Sequence, residues 1–369
     1  MPRVRAPLWL TAPTRYAGLL RARARWIVAA LALFIALALT ALAVPDPTDP
    51  TPGQAATASD LGMYETVIAG LRGGGDYYTL TAEALRAGSY PLKPFLTFRL
   101  PVHAVVQAAL PPLVPRVLLV LLTIGVAVAW WLRIAPQLAR PSARISLTVL
   151  LAAGLMAFVQ ADLVAFHEIW AALLVALALA LRTPERWVPS VALGLIATLA
   201  RETAALLPLV MAAFAWREGA RREAAGWGLS LLALFAAIVA HAWAVAQIVG
   251  PLDPASPGWS GLLGPGFFVR AFASSTALDA LPLTLAAPLV ALALFGWTAW
   301  RDSVAPRAAA LFAGYAAAIA IFARADTFYW ALMPAPVLLV GLVFVPDALR
   351  DLAATLLDRR RIRVQRITQ

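Results

Sequence analysis

The chain has 369 residues, of which 62% are hydrophobic and 13% charged, with a mean hydropathy of +0.79. Soluble domains run to roughly 45–50% apolar and about 25% charged. A pair of soluble domains is therefore excluded, and an integral membrane protein is expected. The absence of cysteine rules out disulfides, thiolate metal sites and cysteine nucleophiles, and three histidines leave little for a histidine metal cluster. Lys93 is the only lysine among 30 basic residues. The arginine excess goes with the Ala/Leu/Val richness as genome composition, and the net charge of +11 means nothing until it is placed.

The first 25 residues hold Arg3, Arg5, Arg15, Arg21, Arg23 and Arg25 and no acid. Residues 26–44 follow as an apolar run, long enough to cross about 30 Å of hydrocarbon. Ala41-Leu42-Ala43 resembles a cleavage site, but the run exceeds the roughly 7–15 residues of a signal-peptide core. A retained first transmembrane helix is the expectation, behind a basic cytoplasmic N-terminus (1–25). Residues 45–99 are polar and rich in Pro and Gly, the longest such stretch between apolar runs; loops of this length are commonly functional. Further spans are expected near 117–133, 145–160, 163–181, 187–200, 203–216, 226–249, 280–300, 308–323 and 328–346, about ten in all. The proline-broken segment 101–115 is short, and whether it crosses decides the sidedness of everything after it. A basic cytoplasmic tail (347–369) closes the chain, including Arg359 to Arg366.

With a cytoplasmic N-terminus and 101–115 not crossing, the cytoplasmic segments hold 22 basic and 7 acidic residues and the outer ones 8 and 12. That is the positive-inside pattern. Trp26, Trp130, Trp131, Trp187, Trp216, Trp227, Trp297 and Trp300 fall at the cytoplasmic ends, as an interfacial aromatic belt. The basic residues thus read as a topology signal with anionic-lipid contact, not as nucleic-acid binding. No repeat and no glycine-rich phosphate loop is visible, so a nucleotide-driven pump has no support.

The chemistry-bearing residues concentrate in the outer loop. Ile68 and Ala69 follow Tyr64 and Glu65 at helical spacing, which predicts a short amphipathic helix along the membrane surface. Asp60 falls at or before its start, with Ser59 as a possible cap. The segment Asp60-x-x-x-Tyr64-x-x-x-Ile68-Ala69 resembles the Asp-Glu-x-x-Tyr segment opening the first outer loop of GT-C glycosyltransferases. These multi-span enzymes use polyprenyl-phosphate sugars and include protein mannosyltransferases and lipid A aminoarabinose transferases. Leu61 replaces the family's second acid. Tyr90-x-x-Lys93-Pro94 is similar to the Tyr-x-Glu-Lys-Pro-Pro segment ending that loop, with Leu92 and Phe95 as departures. The resemblance covers roughly the first half of the chain; the second half offers compatible topology.

The resemblance implies an all-α polytopic inner-membrane enzyme with a periplasmic juxtamembrane loop, taking a polyprenyl-phosphate-linked sugar. It nominates Asp60 as the base or orienting acceptor for the nucleophile, against the plainer reading as an N-cap. Asp76, in Gly-Gly-Gly-Asp-Tyr-Tyr, is a rival catalytic candidate or a turn residue. Asp162, before the 163–181 run, loosely resembles a second acid that GT-C members carry at the outer end of a middle span. Lys93, Arg99 and Arg86 are candidates for the lipid phosphate, or for headgroup contact. Tyr64, His103, His167, Glu168, Arg201 and Glu202 complete the candidate substrate-binding set, because charges beside apolar spans are costly unless they face a polar cavity. For Arg201-Glu202 an interfacial ion pair is an equal reading, and Arg324 and Asp326 read as interface anchors. No cofactor is expected; Asp60, Asp162 and Glu168 would together make an oxygen site for a hard divalent ion. The rival functions are a transporter or flippase for a lipid-linked saccharide, which predicts polar residues through several spans, and a non-catalytic envelope-assembly scaffold.

Overall fold

The computed structural model describes residues 6–46 and 56–357, with the side chains of 56–59 excepted. Ser59 lies inside α2 (Ala56–Arg72) and is not its cap, while Arg3, Arg5 and the basic tail from Arg359 lie outside the described residues. Among the described residues the chain is helical, with no β-strand. In chain order the helices are α1 (Arg21–Leu39), α2 (Ala56–Arg72), α3 (Tyr77–Ala87), α4 (Val102–Ala109) and α5 (Leu113–Ile134). Then come α6 (Pro141–Leu155), α7 (His167–Leu181), α8 (Val188–Ala200), α9 (Leu206–Arg217) and α10 (Arg221–Ile248). The last are α11 (Gly264–Ser274), α12 (Leu283–Ala299), α13 (Ala305–Phe322), α14 (Ala335–Leu338) and α15 (Val345–Leu357).

The joints between helices sort into two ends by their own contacts. At one end Arg133 bonds the Asp302 carboxylate at 2.7 Å and the Arg182 carbonyl at 2.8 Å. Arg182 in turn grips Glu223, and Arg307 bonds Glu218 at 2.5 Å. The N-terminal segment lies across this same end. Asp347, fully buried, accepts the backbone N–H groups of Leu8, Trp9 and Leu10, and Asp351 accepts those of Thr14. From Leu8 to Thr14 the N-terminal segment is a strap held by two acids of α15. Asp46–Arg270, Asp60–Tyr90, Arg86–Asp253 and Glu168–Arg201 mark the opposite end. Thus α1, α6, α8, α10 and α13 run from the basic end to the opposite end. The helices α5, α7, α9 and α12 and the C-terminal segment return.

Five helices are long and apolar enough to cross a membrane, and a sixth crossing arises if Ala325–Leu332 and Ala335–Leu357, bent by 51°, form one broken span. α7, α8 and α12 are apolar but shorter. At 1.5 Å per residue, the 12 residues of α9 reach only about 18 Å. Helix length thus carries part of the expected ten crossings. The segment 101–115 yields α4, which has 8 residues and stays at the site end, where Gln107 and Leu110 accept hydrogen bonds from Arg72 of α2.

The tryptophans divide. Trp26 and Trp216 are exposed and fit an interfacial belt. Trp130, Trp227, Trp297 and Trp300 are not belt residues: they are fully buried. Trp297 packs on Trp130 at 5.3 Å and on Trp300 at 5.9 Å between ring centroids, and its indole N–H donates to Leu338 O at 2.9 Å. A buried indole needs such an acceptor. Helices in an apolar medium associate by close packing of small residues rather than by the hydrophobic effect. Gly296 of α12 shows why: a Cβ there would lie 1.8 Å from Gly341 O. Gly266 does the same for the site end, letting α11 rest on the Thr40–Ala41 backbone.

Candidate active site

The outer loop, expected to carry one short helix around Tyr64–Ala69, contains a helical hairpin of α2 and α3. The α2 helix begins before Asp60, so Asp60 is not its N-cap. The carboxylate turns inward and accepts a hydrogen bond from Tyr90 Oη at 2.5 Å. The triple glycine supplies the turn, with Gly74 at φ +87, and Asp76 then caps α3 by accepting from Thr79 N at 2.9 Å. Capping accounts for Asp76, so the turn reading holds for it and the catalytic one gains nothing.

Burial raises the Asp60 carboxyl above its ordinary value; the Tyr90 hydrogen bond and the Arg99 charge pull it down, and the charges of Glu168 and Asp326 push it up again. Arg99 follows α3 on the stretch leading into α4. Its Nε donates to Tyr64 Oη at 3.2 Å and its Nη2 to Tyr329 Oη at 3.4 Å. Tyr77 Oη fixes the backbone by donating to Arg99 O at 2.7 Å. Arg99 is half-buried, and no carboxylate lies within ion-pair distance of it among the described residues. Two phenols can orient a guanidinium but cannot neutralise it.

Behind Arg99 the buried cluster continues. The Tyr64 ring meets the His167 ring at 4.7 Å, and His167 meets His103 at 4.3 Å. Glu168 is fully buried and accepts from Arg201 Nε at 2.6 Å; Arg201 also bonds Glu202. The backbone breaks between α8 and α9 at Arg201, extended at φ −152, which turns its side chain toward α7. Tyr64, Tyr77, Arg99 and His167 line a pocket of about 20 Å³. That is room for about one water.

The structure thus brings together Asp60, Tyr64, Arg99, His103, His167, Glu168, Arg201 and Glu202. It does not bring in Asp76, the cap of α3, nor Asp162, Arg86 or Lys93. Asp162 is exposed on a 3₁₀ turn. Arg86 is committed to Asp253 through two bonds of 2.8 and 2.7 Å, which hold the Asp253 carboxyl down at about 2. Lys93 Nζ donates to Pro251 O at 2.8 Å, and its backbone pairs with the 254–256 stretch. The segment 90–94 therefore faces two ways: Tyr90 reaches Asp60, while the Lys93 ammonium reaches the loop after α10. Among the described residues no group of three or more His, Asp or Glu side chains could hold a metal ion, and Asp60, Asp162 and Glu168 do not assemble into one.

Sequence reasoning missed Tyr329, the second phenol on Arg99, and Gln107, which bonds His103 and Val164 O. The triple Phe328-Tyr329-Trp330 after Arg324 was the available signal for the first. Gln107 sits one helical turn after His103, the spacing at which side chains meet. No family model, no curated protein and no solved structure matches the chain.

Proposed function

We propose that the chain is a glycosyltransferase of the GT-C kind, using a polyprenyl-phosphate-linked sugar at the periplasmic face of a bacterial inner membrane. The basic end faces the cytoplasm in this reading, because 22 basic against 7 acidic residues belong to that side. The donor's prenyl chain lies among the lipids, and its phosphate reaches the outer end of the helices.

One observation carries the reading. Arg99 is a half-buried cation with phenol partners and no carboxylate at ion-pair distance among the described residues, and Asp60, a carboxyl with raised proton affinity, lies within its electrostatic reach. An unpaired cation withdrawn from water is costly, so an anionic ligand is the natural complement. Arg is also the side chain suited to gripping a phosphate with parallel bonds.

The reaction follows from these two groups. The acceptor hydroxyl oxygen attacks the anomeric carbon, and its proton passes to Asp60. The bond from that carbon to the phosphate oxygen breaks, and the electron pair stays on the departing polyprenyl phosphate. Its added negative charge lies against Arg99, where a preorganised donor acts most strongly. Attack from the face opposite the phosphate inverts the anomeric centre. Lys93 keeps two N–H donors beyond Pro251 O and meets headgroups at the rim. A pocket with room for one water requires the α2–α3 hairpin to move as donor enters.

The test is transfer from radiolabelled polyprenyl-phosphate sugars by the full chain in lipid nanodiscs. Asp60→Asn is expected to lose about 10²–10⁴-fold in rate, the range for a general base. Transfer undiminished by that substitution rejects Asp60 as the base, and absence of transfer from every donor rejects the reading. The distribution of polarity speaks against the transporter alternative: the polar cluster sits at one end and not at the middle of several helices.

A further inference from the structure

His103 and His167 are given no step in that reaction, yet their surroundings are unusual. They are 7% and 2% exposed, with ring centroids 4.3 Å apart and the rings tilted by 53°. Hydrogen bonding fixes the state of the first ring. Gln107 Nε2 lies 2.5 Å from Val164 O and 2.8 Å from His103 Nε2. Only the amide N–H₂ can donate to a carbonyl, so the Gln107 orientation is set and its second hydrogen goes to His103 Nε2. His103 Nε2 is therefore an acceptor, and the ring hydrogen sits on Nδ1. Burial lowers the His103 pKa to about 3, so the ring stays neutral.

That His103 Nδ1 has no partner, neither ring nitrogen of His167 has one, and Glu168 Oε2 has none. Buried polar atoms in folded proteins are nearly always paired. Here three of them belong to two rings whose centroids lie 4.3 Å apart, and His167 lines the same pocket as Tyr64 and Arg99. Their chemistry defines the complement. His103 Nδ1–H donates, and neutral His167 offers one donor and one acceptor. A phosphate brings acceptors alone and belongs with Arg99; an acyl chain brings neither. A hydroxyl gives one hydrogen bond and takes others, and it is the size of the water-sized space.

We propose that His103 and His167 form a subsite for a carbohydrate hydroxyl of the substrate, beside the Arg99 that takes its phosphate. The phosphate half of this statement rests on the transferase reading; the hydroxyl half rests on the unpaired atoms.

Three histidines in the chain make the test direct. The full chain, labelled with ¹⁵N-histidine, is placed in glycolipid-free nanodiscs, and the imidazole resonances are assigned from His103→Gln, His167→Gln and His241→Gln. If His167→Gln does not fold, the other two variants assign the third signal by elimination. Octyl glucoside, octyl mannoside and octyl galactoside are then titrated in, with octyl phosphate as the sugar-free control. The expected result is a shift of the His103 and His167 signals by at least one glycoside, with His241 and the octyl phosphate control unmoved. Equal shifts with octyl phosphate, or no response to any glycoside because a resident water alone completes the cluster, overturn the subsite. The two proposals fail separately. Responsive imidazoles in a protein that transfers sugar from no donor keep the subsite and remove the transferase. Asp60-dependent transfer with silent imidazoles does the reverse.

Discussion

At the basic end, Arg182 gives Nε and Nη2 to the two oxygens of Glu223 at 3.0 and 2.7 Å, both side chains being almost wholly buried. At the other end Arg99 rests on two phenols, and three imidazole nitrogens and a carboxylate oxygen nearby go without partners. Both regions hold charge inside an apolar protein. The first pairs charge with charge: carboxylates fork onto guanidinium and Asp347 accepts three backbone N–H groups, although the Nε atoms of Arg133 and Arg307 there also lack partners. The second is open in the chemical sense, since its donors and acceptors are complete only with something added. A buried pair closed on itself serves architecture, and a buried group left unpaired points to a ligand.

The sharpest way to break this contrast is to cut one closed pair. Arg182→Gln leaves Glu223 buried and uncompensated, and loss of one partner of a buried pair costs about 3–5 kcal/mol. Thermal unfolding in nanodiscs should show a large fall in Tm, while Asp60-dependent transfer per folded molecule stays as it was. Arg99→Gln should act the other way round. Removing a cation that no described carboxylate meets in an ion pair should lower Tm less than Arg182→Gln does, while transfer falls about 10²–10³-fold, the loss seen when one charge-stabilising donor is removed. If Arg99→Gln unfolds the protein as Arg182→Gln does, the contrast is wrong.

A finer test uses pH. The Asp60 carboxyl holds its proton more tightly folded than unfolded. Its stabilising contribution is therefore full below the unfolded pKa and is lost as pH rises through the raised folded value. Over that window the Tm of the wild-type chain should decline relative to Asp60→Asn, and the transfer rate should rise as Asp60 ionises. Tyr90→Phe removes a bond that lowers this pKa, so its rate inflection should lie at higher pH. Coincident profiles would show that Tyr90 does not act on Asp60. The smallest effect is expected at Arg86–Asp253. Asp253→Asn should leave Tm at neutral pH nearly unmoved, because exposed ion pairs contribute little; in the wild type the pair's small contribution should vanish only as pH falls toward about 2.

Much of this organisation was legible in the residues. Apolar runs located the long helices, and basic joints grouped on one end, where contacts such as Arg133–Asp302 now join them. Asp60, Tyr64, Arg99 and the His167–Glu168 pair were nominated and do meet. Asp76 was legible as a turn residue, and so it is. Other features were out of reach for identifiable reasons. Tyr329 lies 230 residues from Arg99 in sequence, and no local pattern announces that distance. Lys93 and Tyr90 are three positions apart, yet their side chains serve opposite neighbours, because an extended stretch turns successive side chains to different faces. Trp130 and Trp297 looked like belt residues because a tryptophan at a helix end is ambiguous until its facing is known.

Solvent preference adds up residue by residue along a chain, so composition and charge order were enough to set the helical class, the apolar runs and the grouping of the basic joints. Pairing does not add up that way. Whether a guanidinium meets a carboxylate, a phenol or nothing depends on distances of a few ångströms between elements far apart in the chain, and only the packed helices fix those. That is why the sequence could nominate Arg99 only beside Arg86 and behind Lys93, and why only the tertiary structure set Arg99, resting on two phenols, apart from Lys93 at Pro251 O and Arg86 at Asp253.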